Sequence, residues 1–125
     1  MSGNINFNGW LNDDGSENYK CRAWVNFNGQ GTVAIRASGN VASITDLGTG
    51  QYQVNFNTAM PDANYVTVCG NGQDDAANGG FRVSNPSQAS SKSTASFVNV
   101  VSSYIANGTN RVADDCGFFN VSVFR

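Results

Sequence analysis

The sequence predicts an all-β fold, an antiparallel β-sandwich of jelly-roll-like type with about eight strands. Three observations carry this. Helix-building charged residues are scarce, with one glutamate (Glu17) and two lysines (Lys20 and Lys92) in 125 residues, while Val, Phe, Tyr and Thr, which suit a pleated half-buried surface, are common. Apolar and polar side chains alternate with a period of two along several segments, the spacing of a strand with one buried face. Asn-Gly and Gly-Asn pairs separate those segments, and such pairs tolerate the positive φ angles of tight turns. No helical crossover pattern intervenes, which favours antiparallel pairing over a parallel sheet.

Taken in order, the first eighteen residues are irregular. Ile5, Phe7, Trp10 and Leu11 suit either an edge strand closing the sandwich or a surface against a partner chain. Residues 19–125 then read as a single sandwich domain, since 125 residues support one hydrophobic core of ordinary size. In 19–28 (YKCRAWVNFN), Tyr19, Cys21, Ala23, Val25 and Phe27 share one face. Trp24 alone breaks the pattern, a large ring on the polar face that asks for a covering surface. Asn28-Gly29-Gln30-Gly31 turns the chain into 32–38, where Val33, Ile35 and Ala37 alternate with Thr32, Ala34, Arg36 and Ser38. Gly39-Asn40 leads into 41–46, and Leu47-Gly48-Thr49-Gly50 into 51–57, where Tyr52, Val54 and Phe56 alternate. Residues 19–57 thus predict a four-stranded meander.

Met60-Pro61-Asp62-Ala63-Asn64 reads as a loop, because proline cannot donate to a central ladder. A short strand over 65–70 is followed by 71–80 (NGQDDAANGG), the longest stretch without apolar periodicity, a surface loop suited to carrying contacts. Strands over 81–84, 93–103 and 116–124 complete the set, with polar connections over 85–92 and 106–110. The segment 93–103 carries apolar residues on both faces, which predicts cover on two sides.

The chemistry available is narrow. The chain has no histidine, which removes the commonest general base and activator of Ser or Cys nucleophiles. The acidic pairs Asp13-Asp14, Asp74-Asp75 and Asp114-Asp115 lie in turn-rich segments, where adjacent carboxylates point apart rather than flanking one bond. A non-enzymatic protein without a cofactor is expected. Calcium suits Asn and Asp oxygens, but neither 71–75 nor 12–15 has the spacing of a calcium loop, and polar turns explain both runs, so no metal is expected. Cys21, Cys69 and Cys116 form no CxxC pattern and are expected to pack as small apolar residues.

A net charge of −2 and 13% charged residues give no basic footprint for nucleic acid. No run of 18 apolar residues occurs and the N-terminus has no basic and apolar leader pattern, so neither membrane insertion nor a signal peptide is expected. Exposed rings beside amides and carboxylates make sugar sites, and Trp10, Trp24 and Tyr104 are the available rings. For Trp24, burial against a neighbouring subunit or the second sheet is the preferred reading. Asn71, Gln73, Asp74, Asp75, Asn78 and Tyr104 are the candidate receptor or ligand contacts, and Phe7, Trp10 and Trp24 the candidate oligomer or partner contacts.

The pieces AWVNFNG, GTVAIRASGNV, SITDLGTGQYQVNF and TAMPDANY follow in order over residues 23–65, about a third of the chain. This run resembles a segment of tail-fibre proteins of marine and cyanobacterial phages. The resemblance implies a virion protein made in the host cytoplasm, a β-rich domain near the distal end of a fibre and frequently a homotrimer. Its partners would be copies of itself, other virion proteins and a host-surface polysaccharide. A capsid decoration protein on the head surface is the alternative, and a polysaccharide-acting enzyme a second one.

Overall fold

A computed structural model describes residues 4–6, 9–11, 13–16, 19–72, 82–87, 93–106 and 108–125. The described chain is all-β, and its sandwich consists of two antiparallel sheets. Strands β1 (Asn4–Asn6) and β2 (Gly9–Leu11) pair with each other as a separate hairpin, so among the described residues the N-terminal segment adds no edge strand to either sheet of the sandwich. The four-stranded sheet uses β3 (Cys21–Asn28), β4 (Ala34–Gly39), β7 (Val66–Gly72) and β11 (Phe118–Phe124), in the order β4-β3-β11-β7. The five-stranded sheet uses β5 (Val41–Gly48), β6 (Gln51–Phe56), β8 (Arg82–Pro86), β9 (Phe97–Ala106) and β10 (Asn110–Ala113).

The inner faces follow the alternation. Ala23, Val25 and Phe27 of β3 and Phe119, Val121 and Val123 of β11 meet Tyr52, Val54 and Phe56 of β6 and Val98 and Val100 of β9. At the centre Phe27 and Phe119 stack with centroids 5.2 Å apart, and Tyr52 stands edge-on to both. Offset and edge-on rings add stabilisation beyond the area they bury. Tyr19 and Cys21 leave the pattern at the start of β3, where both are exposed.

Residues 19–57 are not one meander. They form two hairpins, β3–β4 in one sheet and β5–β6 in the other. The change of sheet falls at Asn40, whose φ of 55° is the left-handed conformation that asparagine tolerates. Its side chain fixes the corner: Nδ2 donates to the Arg22 and Thr58 carbonyls at 3.0 Å each, and Oδ1 accepts from Thr58 N at 2.7 Å. Bonds to both flanking segments hold the chain in the corner that carries it from one sheet to the other.

β4 departs from its predicted alternation too. A register shift opposite Asn26 and Phe27 leaves Ile35 beside Phe27 but brings Ala37 beside Asn26 on the outer face. The extra residue is Arg36, and such a bulge redirects the residues that follow it. All of β4 from Ala34 to Ser38 is exposed, as befits an edge strand.

β9 is the centre of its sheet. Val100 and Val101 each pair with both β6 and β8, so these strands take opposite edges of β9, and β10 continues along the edge used by β6. By alternation Asn99 and Ser103 face away from the core, yet they are 3% and 0% exposed. The two-sided cover expected of this segment therefore exists within one chain and needs no second subunit. Asn110–Ala113, which begins at the end of the connection expected over 106–110, is β10; all four residues are exposed, so burial imprints no alternation on them.

Candidate functional site

The candidate site is the outer face of the four-stranded sheet. On β3 the inward set leaves Arg22, Trp24, Asn26 and Asn28 outside, and on β11 Phe118, Asn120, Ser122 and Phe124. The register carries one row across all four strands as Gly39, Trp24, Ser122 and Val68, with Phe124 beside Val66 at the adjoining end. Trp24 is 45%, Val66 62% and Val68 54% exposed, a concentration of large apolar side chains at one end of the face. Trp24 lies against Gly39, where a Cβ would come within 2.3 Å of the indole Nε1. The missing side chain lets the ring rest on the backbone.

Amides occupy the middle of the face. Asn26 Nδ2 donates to Asn120 Oδ1 at 2.6 Å, and Arg36 Nη1 donates to Asn26 Oδ1 at 3.3 Å. At the far end the Arg36 guanidinium sits 4.2 Å from the centroid of the Phe118 ring and donates through Nη2 to the Gly117 carbonyl. Arg36, the bulge residue, is thus held by an amide, a carbonyl and an aromatic face. No carboxylate sits on β3, β4, β7 or β11.

The expected contact residues fare differently. Trp24 is neither buried by the second sheet nor fully solvated; it belongs to the outer face. Asn71 does not lie in a loop. It sits in β7 opposite Phe119, and its Nδ2 donates to the Val83 carbonyl at 3.2 Å and to Ser102 Oγ at 2.8 Å. Its side chain points between the sheets and ties β7 to β8 and β9, because the last strand extends pairing to Gly72. Tyr104 is half-buried in β9, flanked in register by Arg82 and Val112. Gln73, Asp74, Asp75, Asn78 and Phe7 lie outside the described residues, as does the side chain of Trp10.

Near Asn71 a polar cluster closes one end of the core. Arg82, with its side chain only 8% exposed, donates to Asp114 at 2.7 Å. Asp115 accepts from Gly50 N at 2.7 Å and from the Tyr52 hydroxyl at 2.9 Å. The two neighbouring carboxylates therefore serve different partners, as expected of adjacent residues in a turn, but they are half-buried and bonded rather than solvated. Burial, followed by the hydrogen bond to Asp115, pushes the Tyr52 hydroxyl far above the usual tyrosine range. Among the described residues no group of three His, Cys, Asp or Glu side chains is gathered to hold a metal ion.

Comparison with protein-family models, with curated proteins and with solved structures returned no match.

Sequence reasoning missed Val66, Val68, Phe118 and Phe124 as surface residues. A signal was present: Phe118-Phe119 cannot place both rings inside one strand face, and Val66 and Val68 share a parity opposite to Cys69.

Proposed function

We propose that the protein is a non-enzymatic structural component of a bacteriophage virion, a tail-fibre or fibre-tip subunit that contributes to host attachment and assembles as a homotrimer. The observation that carries this reading is the outer face of the four-stranded sheet, with Trp24, Val66, Val68 and Phe124 exposed at one end of it. Contiguous apolar surface of this kind on a rigid sheet marks an interaction site. No carboxylate side chain of the four strands stands on that face, which keeps the acidic residues of the chain away from it, and Arg36 is held there by Asn26, Gly117 and the Phe118 ring. The tail-fibre resemblance of residues 23–65 supplies the setting, and that stretch includes Trp24 and Gly39.

The test is location and assembly. Antibody labelling of purified particles is expected to mark the distal tail. Labelling of the head surface favours the decoration role instead, and absence from the particle overturns the virion reading. Light scattering of the isolated chain is expected to give three protomers, and Trp24→Asp to give one. A wild-type monomer at micromolar concentration overturns the trimer.

A further inference from the structure

The other sheet carries a groove that no feature above uses. β6 begins at Gln51 and β10 ends at Ala113 on the same edge of β9, leaving a break between them. Ser102 of β9 spans that break, donating its N–H to the Gly50 carbonyl at 2.7 Å and accepting from Asp114 N at 3.2 Å. Over the break lies a groove of about 640 Å³, within the size range of small-molecule sites. Gln51, Val101 and Asn85 line it as one register row across β6, β9 and β8. Pro86 adds an apolar patch, and Arg111 of β10 lines the end beside Ala113.

Arg111 is positioned rather than loose. Its Nε donates to Ser103 Oγ at 2.8 Å, which holds the guanidinium over β9 and leaves its two terminal nitrogens for a ligand. Among the described residues no carboxylate lines the groove. Asp114, nearest along the chain, is engaged by Arg82. A guanidinium fork recognises a carboxylate with two parallel bonds. The amides of Gln51 and Asn85 bond hydroxyl groups, and Val101 and Pro86 offer an apolar surface to C–H groups. An inorganic anion would use only the arginine. A peptide strand would pair with a sheet edge, whereas this groove lies on a face.

We infer that this groove binds a carboxylate-bearing sugar, a uronic acid unit of an acidic polysaccharide, with Arg111 on the carboxylate, Gln51 and Asn85 on the hydroxyls, and Val101 and Pro86 under the ring. The choice of a glycan rests on the host-attachment reading; the groove and its cation do not. Because the whole chain carries a net charge of −2, the local arginine works against the overall field. Binding is then sensitive to salt.

The experiment titrates the full chain by NMR and calorimetry with glucuronate, galacturonate and mannuronate oligosaccharides and with their carboxyl-reduced counterparts. At least one uronate is expected to bind, with shifts centred on Gln51, Asn85, Val101 and Ala113. Affinity is expected to fall tenfold or more on carboxyl reduction or with Arg111→Gln, and severalfold with Asn85→Ala. Gln51→Leu is the second variant, and a thermal scan of each confirms folding. Failure of every uronate to bind, equal binding by Arg111→Gln, or shifts mapping to another surface overturns the site. A chain located on the fibre that binds no uronate loses this inference alone. One absent from the particle that binds uronate here loses only the attachment reading.

Discussion

Removing a single hydroxyl tests how the end of the core is held. In Tyr52→Phe the ring keeps its edge-on contacts with Phe27 and Phe119, so the apolar packing is unchanged. What goes is one proton shared between two acceptors, Asp115 Oδ1 at 2.9 Å and the Gly29 carbonyl at 3.0 Å. A hydrogen bond to a charged group contributes about 1.5–3 kcal/mol, and a stranded buried acceptor costs a similar amount, so one donor serving one acceptor at a time predicts about 2 kcal/mol. With an unfolding entropy of about 2.1 cal/mol/K per residue, a chain of this size loses roughly 8 °C in Tm. The sign of the pH dependence follows from the raised Tyr52 ionisation. A folded-state value above the unfolded one gives stability that is complete below about pH 10 and declines above it as the unfolded chain releases its proton. Urea denaturation at pH 7 and at pH 10–11 measures both effects. The gap between wild type and variant is expected to narrow at the higher pH. A loss below about 0.5 kcal/mol at pH 7 would contradict the assigned bond, given the ordinary value of a buried one. So would an equal loss in the Asp115→Asn background, which ought to weaken the coupling.

Gly50→Ala is expected to destabilise by about 2 kcal/mol or more, because the φ of +66° is strained for alanine and its Cβ would come within 2.3 Å of the Ser102 carbonyl oxygen; thermal unfolding measures it. Thiol labelling of the native chain is expected to show one fast cysteine, exposed Cys21, and two slow ones, because Cys116 is buried and burial pushes the Cys69 thiol up to about 11. Three fast thiols would contradict that burial. The Arg125 side chain, donating to Asp62 through Nε at 3.0 Å and Nη2 at 2.8 Å, lowers the Asp62 carboxyl to about 2. A depressed folded value gives stability that is present above about pH 4 and lost as pH falls towards 2. The difference between wild type and Asp62→Asn is therefore expected to shrink across that window in acid denaturation, and a difference constant with pH would contradict the pairing.

The residues that reveal the fold in the sequence are those whose alternation meets burial on one side only. Ala23, Val25 and Phe27 and, on the last strand, Phe119, Val121 and Val123 read directly from period-two spacing, and all six lie in the core. The same logic failed where pairing, not periodicity, decides. A Gly-Asn step predicts a turn but not whether the next strand returns to the same sheet; Asn40 sends it to the other because its side chain bonds both Arg22 and Thr58. The composition of NGQDD predicts a loop at Asn71, whereas a partner 31 residues away, Ser102, holds its side chain inside. The groove on the five-stranded sheet is the least legible, since Gln51, Asn85 and Arg111 come from three separate strands and no local pattern links them.

That separation has a mechanical consequence for the groove. A sheet whose central strand loses its neighbour halfway along one edge must satisfy the exposed backbone some other way. Here Ser102 bonds both Gly50 and Asp114 across the gap, and Asp115 anchors Gly50 to the buried Tyr52 hydroxyl. The floor of the groove is thus made of the same bonds that close the core. Substitution there disturbs folding before it disturbs any ligand. The side chains of Gln51, Asn85 and Arg111 stand exposed above that floor, with only the Arg111 Nε bonded into it. They can be exchanged with little effect on the sandwich. A rigid break in a sheet, lined by side chains free to vary, lets ligand preference change while the scaffold stays fixed.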